Sequence, residues 1–486
     1  MKRMPRRMKA HWFGLVAILG LGLADVARSK PNIVLFLIDD LGWMDLSCQG
    51  SDYYQTPNID RLAKEGIRFT NGYAACAVCS PTRAAVQTGR YPGRLGVTDW
   101  IRSRFQRGAI GTPDANPTEY VGGKNRPLLC PPNPYWMESE ERTVAEVLKD
   151  AGYQTGYIGK WHLGDDDWYP EEQGYVANRG GCDYGQPPSY FDPFNQPNHR
   201  HPMIQAGIPG LPGREPGQYL THREADEAVA LIEEWKDAPF FLQVAHYAVH
   251  TPIQAIDEVA AKYAREDKKP VNARYAAMVE SVDDAVGSIL DALDRLELTE
   301  DTLIVFTSDN GGLLGPTDNT PLRSGKGYAY EGGIRVPFIA SWPGTIPSGL
   351  ESAAPVASID ILPTLVDAAG LPAVADRPID GVSLLPTLKG GSQQEDFDRP
   401  LIWHFPHYRH QPGPYSIIRR GNHKLIYFWE GIRELYDLEN DLGERVNLIE
   451  SQVALAAALE EELMSELAAM GARLPRANPA YEAPQP

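Results

Sequence analysis

Cysteine is scarce in this chain, with 5 in 486 residues. That excludes a small disulfide-stapled scaffold, and a chain of this length can bury a core without staples. Positive charge is also in short supply. Lys and Arg number 46 against 64 Asp and Glu, which leaves a net charge of −18. A field of that sign repels nucleic acid and anionic membrane surfaces. After the first 30 residues no apolar run is long enough to span a bilayer, and no internal repeat is present. What remains is ordinary globular material: 43% hydrophobic and 23% charged residues exclude a disordered chain. The 45 Gly and 41 Pro follow no period, so they point to long shaped loops rather than to collagen.

The N-terminus has its own pattern. Lys2, Arg3, Arg6, Arg7 and Lys9 precede an apolar run over 12–23, and Gly22 and Ala24 are spaced for cleavage after Ala24. Residues 1–26 therefore read as a secretory signal peptide, and the mature chain is expected to be exported, to a periplasm or the cell exterior. In such a compartment Cys48, Cys76, Cys130 and Cys182 either form up to two bridges or stay as buried thiols, with Cys79 the odd one out.

The mature region alternates buried apolar runs with amphipathic segments. Runs at 32–38, 154–158, 240–245 and 302–306 suit strands buried on both faces. Helices are expected over 57–65, where Thr56 precedes Pro57, and over 140–152, where Thr143 and Glu146 have capping-box spacing. Two more are expected over 223–235 and 272–296. This is an α/β class: a large, mainly parallel sheet sandwiched by helices, in a catalytic domain over 30–395. From 396 to 486 short strand-like runs follow one another without helices between them, then one helix near 452–470. That reads as a small antiparallel sheet with a packed helix. Segments 101–135 and 165–220 are long Gly/Pro/Asn-rich insertions, and loops of that length usually serve function.

Ligands of open α/β sheets bind beyond the carboxyl ends of the strands. There the chain places Asp39 and Asp40, then Lys160 and His162, then His246 and His250, and lastly Asp309 and Asn310. Three carboxylates and an amide carbonyl are an all-oxygen set, which suits a hard cation such as Ca²⁺ or Mg²⁺, and not Zn²⁺. Cys79 precedes Pro81 and an apolar helical stretch, so it sits at a helix N-terminus, where anions are favoured. It reads as a structural thiol or as a low-pKa nucleophile.

The segment Cys79-Ser80-Pro81-Thr82-Arg83, with Thr88-Gly89-Arg90 behind it, resembles the maturation signature of the type I sulfatases. Segments 32–42, 56–69, 159–164, 307–312, 325–337 and 435–447 resemble blocks of that family in order. The resemblance implies an alkaline phosphatase-like fold and oxidation of Cys79 to Cα-formylglycine by a separate maturation enzyme. It implies Ca²⁺ held by Asp39, Asp40, Asp309, Asn310 and the modified Cys79, inside a ring of Arg83, Lys160, His162, His250 and Lys326. None of the ten positions departs from the family pattern. His246 matches no catalytic position and reads as a core or supporting histidine.

The implied reaction is attack at sulfur by a hydroxyl of the hydrated aldehyde, with His250, beside Lys326, as acid to the departing alcohol and His162 taking the proton of the second hydroxyl. Selection of the substrate falls to the insertions and to the 403–410 segment, in which His404 and His407 are the expected substrate contacts. His199, His201 and His410 read as solvated loop. The resemblance is to bacterial exported enzymes acting on sulfated glycans, with galactose or N-acetylgalactosamine sulfates preferred. The alternatives are a phosphate- or phosphonate-ester hydrolase of the same superfamily and a non-catalytic binder of sulfated glycans.

Overall fold

The computed structural model describes residues 30–107, 113–211, 213, 215–264, 272–391 and 398–483. The expected signal peptide of residues 1–26 and the expected domain division at 395/396 lie outside these residues.

Every residue of the first apolar run is buried because the run becomes the central strand, β1 (Asn32–Ile38). Its alternate side chains feed two cores. Val34, Phe36 and Ile38 pack on one face of the sheet, and Ile33, Leu35 and Leu37 on the other. The remaining strands are β2 (Ile67–Phe69), β3 (Gln154–Gly159), β4 (Ala177–Arg179), β5 (Phe240–Ala245), β6 (Thr302–Ser308), β7 (Phe338–Ser341) and β8 (Leu350–Ser352). They lie in the order β8-β2-β7-β6-β1-β5-β3-β4. The run from β6 through β1, β5 and β3 to β4 is parallel, and β7 is antiparallel to both β6 and β2. Mixed sheets commonly place such antiparallel pairs toward an edge.

Helices α1 (Pro57–Glu65), α4 (Leu220–Trp235) and α5 (Ala273–Arg295) cover the first face. Helices α2 (Cys79–Thr88), α3 (Val144–Asp150) and α6 (Ile361–Ala368) cover the second. The capping box at Thr143 is formed, with the Glu146 N–H donating to Thr143 Oγ1 at 3.1 Å and the Thr143 N–H to the Glu146 carboxylate at 2.8 Å. That box starts the helix at Val144, four residues later than the expected start at 140, because the cap residue itself is extended. Helix α2 begins at Cys79, so Pro81 lies in its first turn rather than at its first position.

The C-terminal part is a four-stranded antiparallel sheet, β9 (Leu401–Phe405), β10 (Tyr415–Arg420), β11 (His423–Phe428) and β12 (Arg433–Asp437), with α7 (Val453–Ala469) packed on it. A buried charge network welds it to the segments around Tyr73 and Glu331. Lys424 Nζ on β11 donates to Glu331 at 2.9 Å and to Glu444 at 2.8 Å, and all three are buried. Arg335 Nε donates to Glu331 at 2.7 Å, and Tyr73 Oη does so at 2.8 Å. Burial pushes the Glu444 carboxyl up to about 7 against the pull of Lys424. All five cysteines are unbridged thiols.

Removing one partner of a buried ion pair strands the other charges. Lys424→Ala is expected to cost about 3–5 kcal/mol of stability, read as a fall in the urea or thermal midpoint. A change below about 0.5 kcal/mol, the size of a surface substitution, would show that the network does not hold these segments together.

Candidate active site

The strands β1, β3, β5 and β6 end side by side, and each end delivers a reactive group to one point. Asp39 and Asp40 follow β1, Lys160 and His162 follow β3, His250 follows β5, and Asp309 and Asn310 follow β6. Backbone bonds fix the ends to one another. The Asp39 N–H donates to the Ala248 carbonyl at 3.1 Å, Asp309 N–H to Ile38 at 3.0 Å, and Lys160 N–H to Ala245 at 2.7 Å. Asp40 and His162 have φ of 63° and 61°, left-handed turns that carry the chain sharply off its strand.

Arg83, on α2, locks the Cys79 helix to three of these ends. Its Nε donates to Asp309 Oδ2 at 2.9 Å and its Nη1 to the Lys160 carbonyl at 2.5 Å, and Nη2 lies 3.8 Å from Asp39 Oδ1. Lys160 Nζ donates to Asp39 Oδ2 at 2.6 Å, and Lys326 Nζ to Asp40 Oδ1 at 2.5 Å. His250 Nε2 is 3.7 Å from Asp40 Oδ2. The neutral residues of the 79–83 segment also have defined work. Ser80 Oγ donates to the His162 carbonyl at 2.9 Å and accepts from the Ile101 N–H at 2.9 Å. Thr82 Oγ1 closes the preceding turn onto the Cys76 carbonyl at 3.1 Å.

Burial sets the protonation pattern. It raises the Cys79 thiol, outweighing Lys160 and Lys326, so the residue is a thiol and not the low-pKa nucleophile considered from sequence. It raises Asp39 well above the carboxylate range despite Lys160, with Asp309 and Asp40 adding to the effect. Burial works the same way on Asp40 and Asp309, but Lys326 and His250 hold the first below its usual value, and Arg83 and Lys160 the second. Burial, then Lys160 and Arg83, keeps His162 neutral. Burial and Lys326 lower His250 to about 3.

Tautomers follow from the partners. His162 Nε2 is 2.6 Å from the Ile101 carbonyl, so it carries the hydrogen and Nδ1, which has no partner, keeps its lone pair. His250 Nδ1 is 2.8 Å from the Thr251 carbonyl, which leaves Nε2 toward Asp40. A Cβ on Gly185 would sit 2.7 Å from the His162 ring, so only glycine lets that ring lie where it does.

The buried oxygens Asp39 Oδ1, Asp40 Oδ2 and Asn310 Oδ1 have no hydrogen-bond partner. Buried acceptors left unpaired are costly. Single ligand atoms of Asp39, Asp40, Cys79 and His250 also lie within 4.8 Å of one another. Two neighbouring carboxyl groups, each with an unpaired hard oxygen, fit a hard divalent cation.

Above them lies a cavity of about 250 Å³, lined by Cys79, His162, His250 and Lys326. Its walls come from Trp100, Gln106, Gly185, Gln186 and Arg409 among others, so both long insertions reach it. The residue type of the 403–410 segment does face the cavity, but through Arg409. His404 and His407 do not line it. His404 is buried with Nδ1 on Ser416 Oγ at 2.7 Å and Nε2 on the Arg473 carbonyl at 3.2 Å, and His407 Nε2 meets Thr98 Oγ1 at 2.8 Å. His246 pairs with Glu224 at 2.6 Å in the core, behind the site.

A nucleophile position at a helix N-terminus, three carboxylates and three fixed cations, all at the carboxyl ends of a mainly parallel sheet, define a hydrolase of the alkaline phosphatase-like fold that acts on an anionic ester. The family model described as Sulfatase matches residues 31–371, and a second, described as N-sulphoglucosamine sulphohydrolase, C-terminal, matches 324–472. The chain belongs to the sulfatase family and is a sulfuric ester hydrolase. It is 33% identical to a sulfatase of Formosa agariphila over 89% of this chain and 88% of that protein. It is 36% identical to the N-acetylgalactosamine-6-sulfatase of Canis lupus familiaris over 80% and 71%. Among solved structures, Ps i-CgsB in complex with k-i-k-neocarrahexaose superposes with a TM-score of 0.77 at 31% identity, over 90% of this chain and 93% of that one.

Two measurements check this geometry. Ca²⁺ at 100 times its dissociation constant should stabilise the protein by about 2.7 kcal/mol, more than Mg²⁺ does, and Asp40→Asn should abolish the shift; a midpoint indifferent to Ca²⁺ would remove the metal from the site. Gly185→Ala should lower turnover while leaving the unfolding midpoint nearly in place, and an unimpaired rate would free His162 from its assigned position.

Proposed function

We propose that this sulfatase is exported and hydrolyses sulfate esters of carbohydrates, of the galactose or N-acetylgalactosamine type, using formylglycine made from Cys79 and a calcium ion. The observation that carries the reading is the cluster of Asp39, Asp40, Cys79 and His250 ligand atoms within 4.8 Å of one another, with Asp39 Oδ1 and Asp40 Oδ2 unpaired and Cys79 and His250 also lining the cavity. The relative named N-acetylgalactosamine-6-sulfatase and the neighbour solved with a neocarrahexaose support the choice of sugar.

Asp39, Asp40, Asp309, Asn310 and residue 79 would hold the calcium, which supplies fixed positive charge for the sulfate oxygens. Formylglycine at 79 would supply an oxygen nucleophile where the structure has Sγ. The chain's own groups do the rest. Lys326, charged and lining the cavity, stabilises negative charge as it builds on the ester. His162 presents Nδ1 as a base, because Ile101 occupies its other nitrogen. His250 lines the cavity; to act as the acid it must first take up a proton at Nε2, a form that Asp40 at 3.7 Å favours, and it would then pass that proton to the departing alkoxide and return to neutral imidazole. Arg83 and Lys160 do not line the cavity; they hold Asp309 and Asp39 in register beneath it.

Protein made together with a formylglycine-generating enzyme should release sulfate from sulfated galactose or N-acetylgalactosamine saccharides in preference to phosphate from matched phosphate esters. Cys79→Ala should lose at least about a thousandfold in rate while keeping its fold. Sulfate release that survives Cys79→Ala would sink the nucleophile assignment, and preferential phosphate release would sink the substrate class.

A further inference from the structure

The inner cations of the site are all spoken for. Arg83 is bonded to Asp309, Lys160 to Asp39 and Lys326 to Asp40. Arg409 is different. It lines the same cavity, it is exposed, and among the described residues it makes no hydrogen bond or ion pair. No carboxylate is among the residues lining the cavity. Asp99 feels the charge of Arg409, but it also feels Arg102 and accepts from the Trp100 N–H at 2.8 Å.

The side chain is held in place rather than left to wander. It lies across Gly327, the neighbour of Lys326, so closely that a Cβ there would be 2.4 Å from Arg409 Nε. Gly327 has φ of 84° and donates its N–H to the Ala77 carbonyl at 2.8 Å, which ties this stretch to the turn before Cys79. Beside Arg409, His410 stacks on Tyr328 with ring centroids 4.0 Å apart. On another wall Trp100 lines the cavity with the Arg102 guanidinium 5.5 Å from its ring, so the mouth combines aromatic surface with cationic groups. A planar guanidinium with open donors, set at the mouth of a cavity whose floor takes one anion, matches a second oxyanion.

We infer that Arg409 forms a second anion subsite at the mouth, which receives another sulfate, or a carboxylate, of the saccharide whose first sulfate sits on the floor. The inference rests on the carbohydrate sulfatase reading and narrows it: the preferred substrates carry two anionic groups.

The test compares kcat/KM for three saccharides that share the scissile sulfate. One has no other charge, one has a second sulfate, and one has a uronate carboxylate. The unsubstituted enzyme should prefer a doubly anionic member about tenfold, with the preference shrinking as salt rises. Arg409→Gln should lose about tenfold more on that member than on the singly charged one, mainly through KM, and Arg409→Lys should recover part of the loss. Whether the sulfate or the carboxylate arm shows the effect identifies the group. Equal losses on all three, or no preference in the unsubstituted enzyme, overturns the subsite while leaving the sulfatase reading standing. No sulfate release from any of the three overturns both.

Discussion

A guanidinium taken out of water costs several kcal/mol unless its donors are met by acceptors in good geometry. Arg83 is 1% exposed, and the acceptors it finds are a carboxylate from the end of one strand and a carbonyl from the end of another. Those contacts oblige helix α2 to sit where β1, β3 and β6 terminate. Cys79, one turn earlier on the same helix, is thereby delivered to the unpaired oxygens of Asp39 and Asp40. Lys160 extends the constraint, since its ammonium reaches Asp39 while its carbonyl receives Arg83. The helix, three strand ends and the reacting position therefore stand or fall together.

The charge balance of this ring explains how a protein carrying −18 overall can receive an anion. Arg83, Lys160 and Lys326 are each tied to a carboxyl group, of Asp309, Asp39 and Asp40, so little of their charge is left to draw an anion. A divalent cation on the unpaired oxygens would add the positive charge that favours a sulfate ester. The rest of the surface is screened beyond about 8–10 Å at physiological salt. Affinity is thus a local property, written in a few buried groups.

Most of the site was readable from the chain, because strand ends are where a parallel sheet exposes chemistry and three of the four strands that carry it are mainly apolar runs, while the short β3 follows a clear helix. Strands β2, β4, β7 and β8 escaped notice, β4 inside a segment read as loop: at three or four residues they are too short to show a period. His404 and His407 misled for another reason. Their residue types suit a sugar, but β9 is covered on both faces, by α7 with its following loop and by the larger domain, so their rings serve Ser416, Arg473 and Thr98. Arg409, two residues past His407, was hidden in the same stretch; what distinguishes it is its approach to Gly327, a contact between distant segments that no local pattern encodes.

The burial of α2 also bears on the order of events in the life of the molecule. All ten residues of Cys79–Thr88 are enclosed, Ser80 and Thr82 completely so. Small molecules can reach the Cys79 side chain through the cavity, but another protein cannot grip the flanking residues without unmaking the core of the larger domain. Any enzyme that recognises this segment by its sequence must therefore meet it as an open chain, during synthesis or passage across a membrane. Folding then closes the window behind it, and the chemical state of position 79 at that moment is kept for as long as the molecule stays folded.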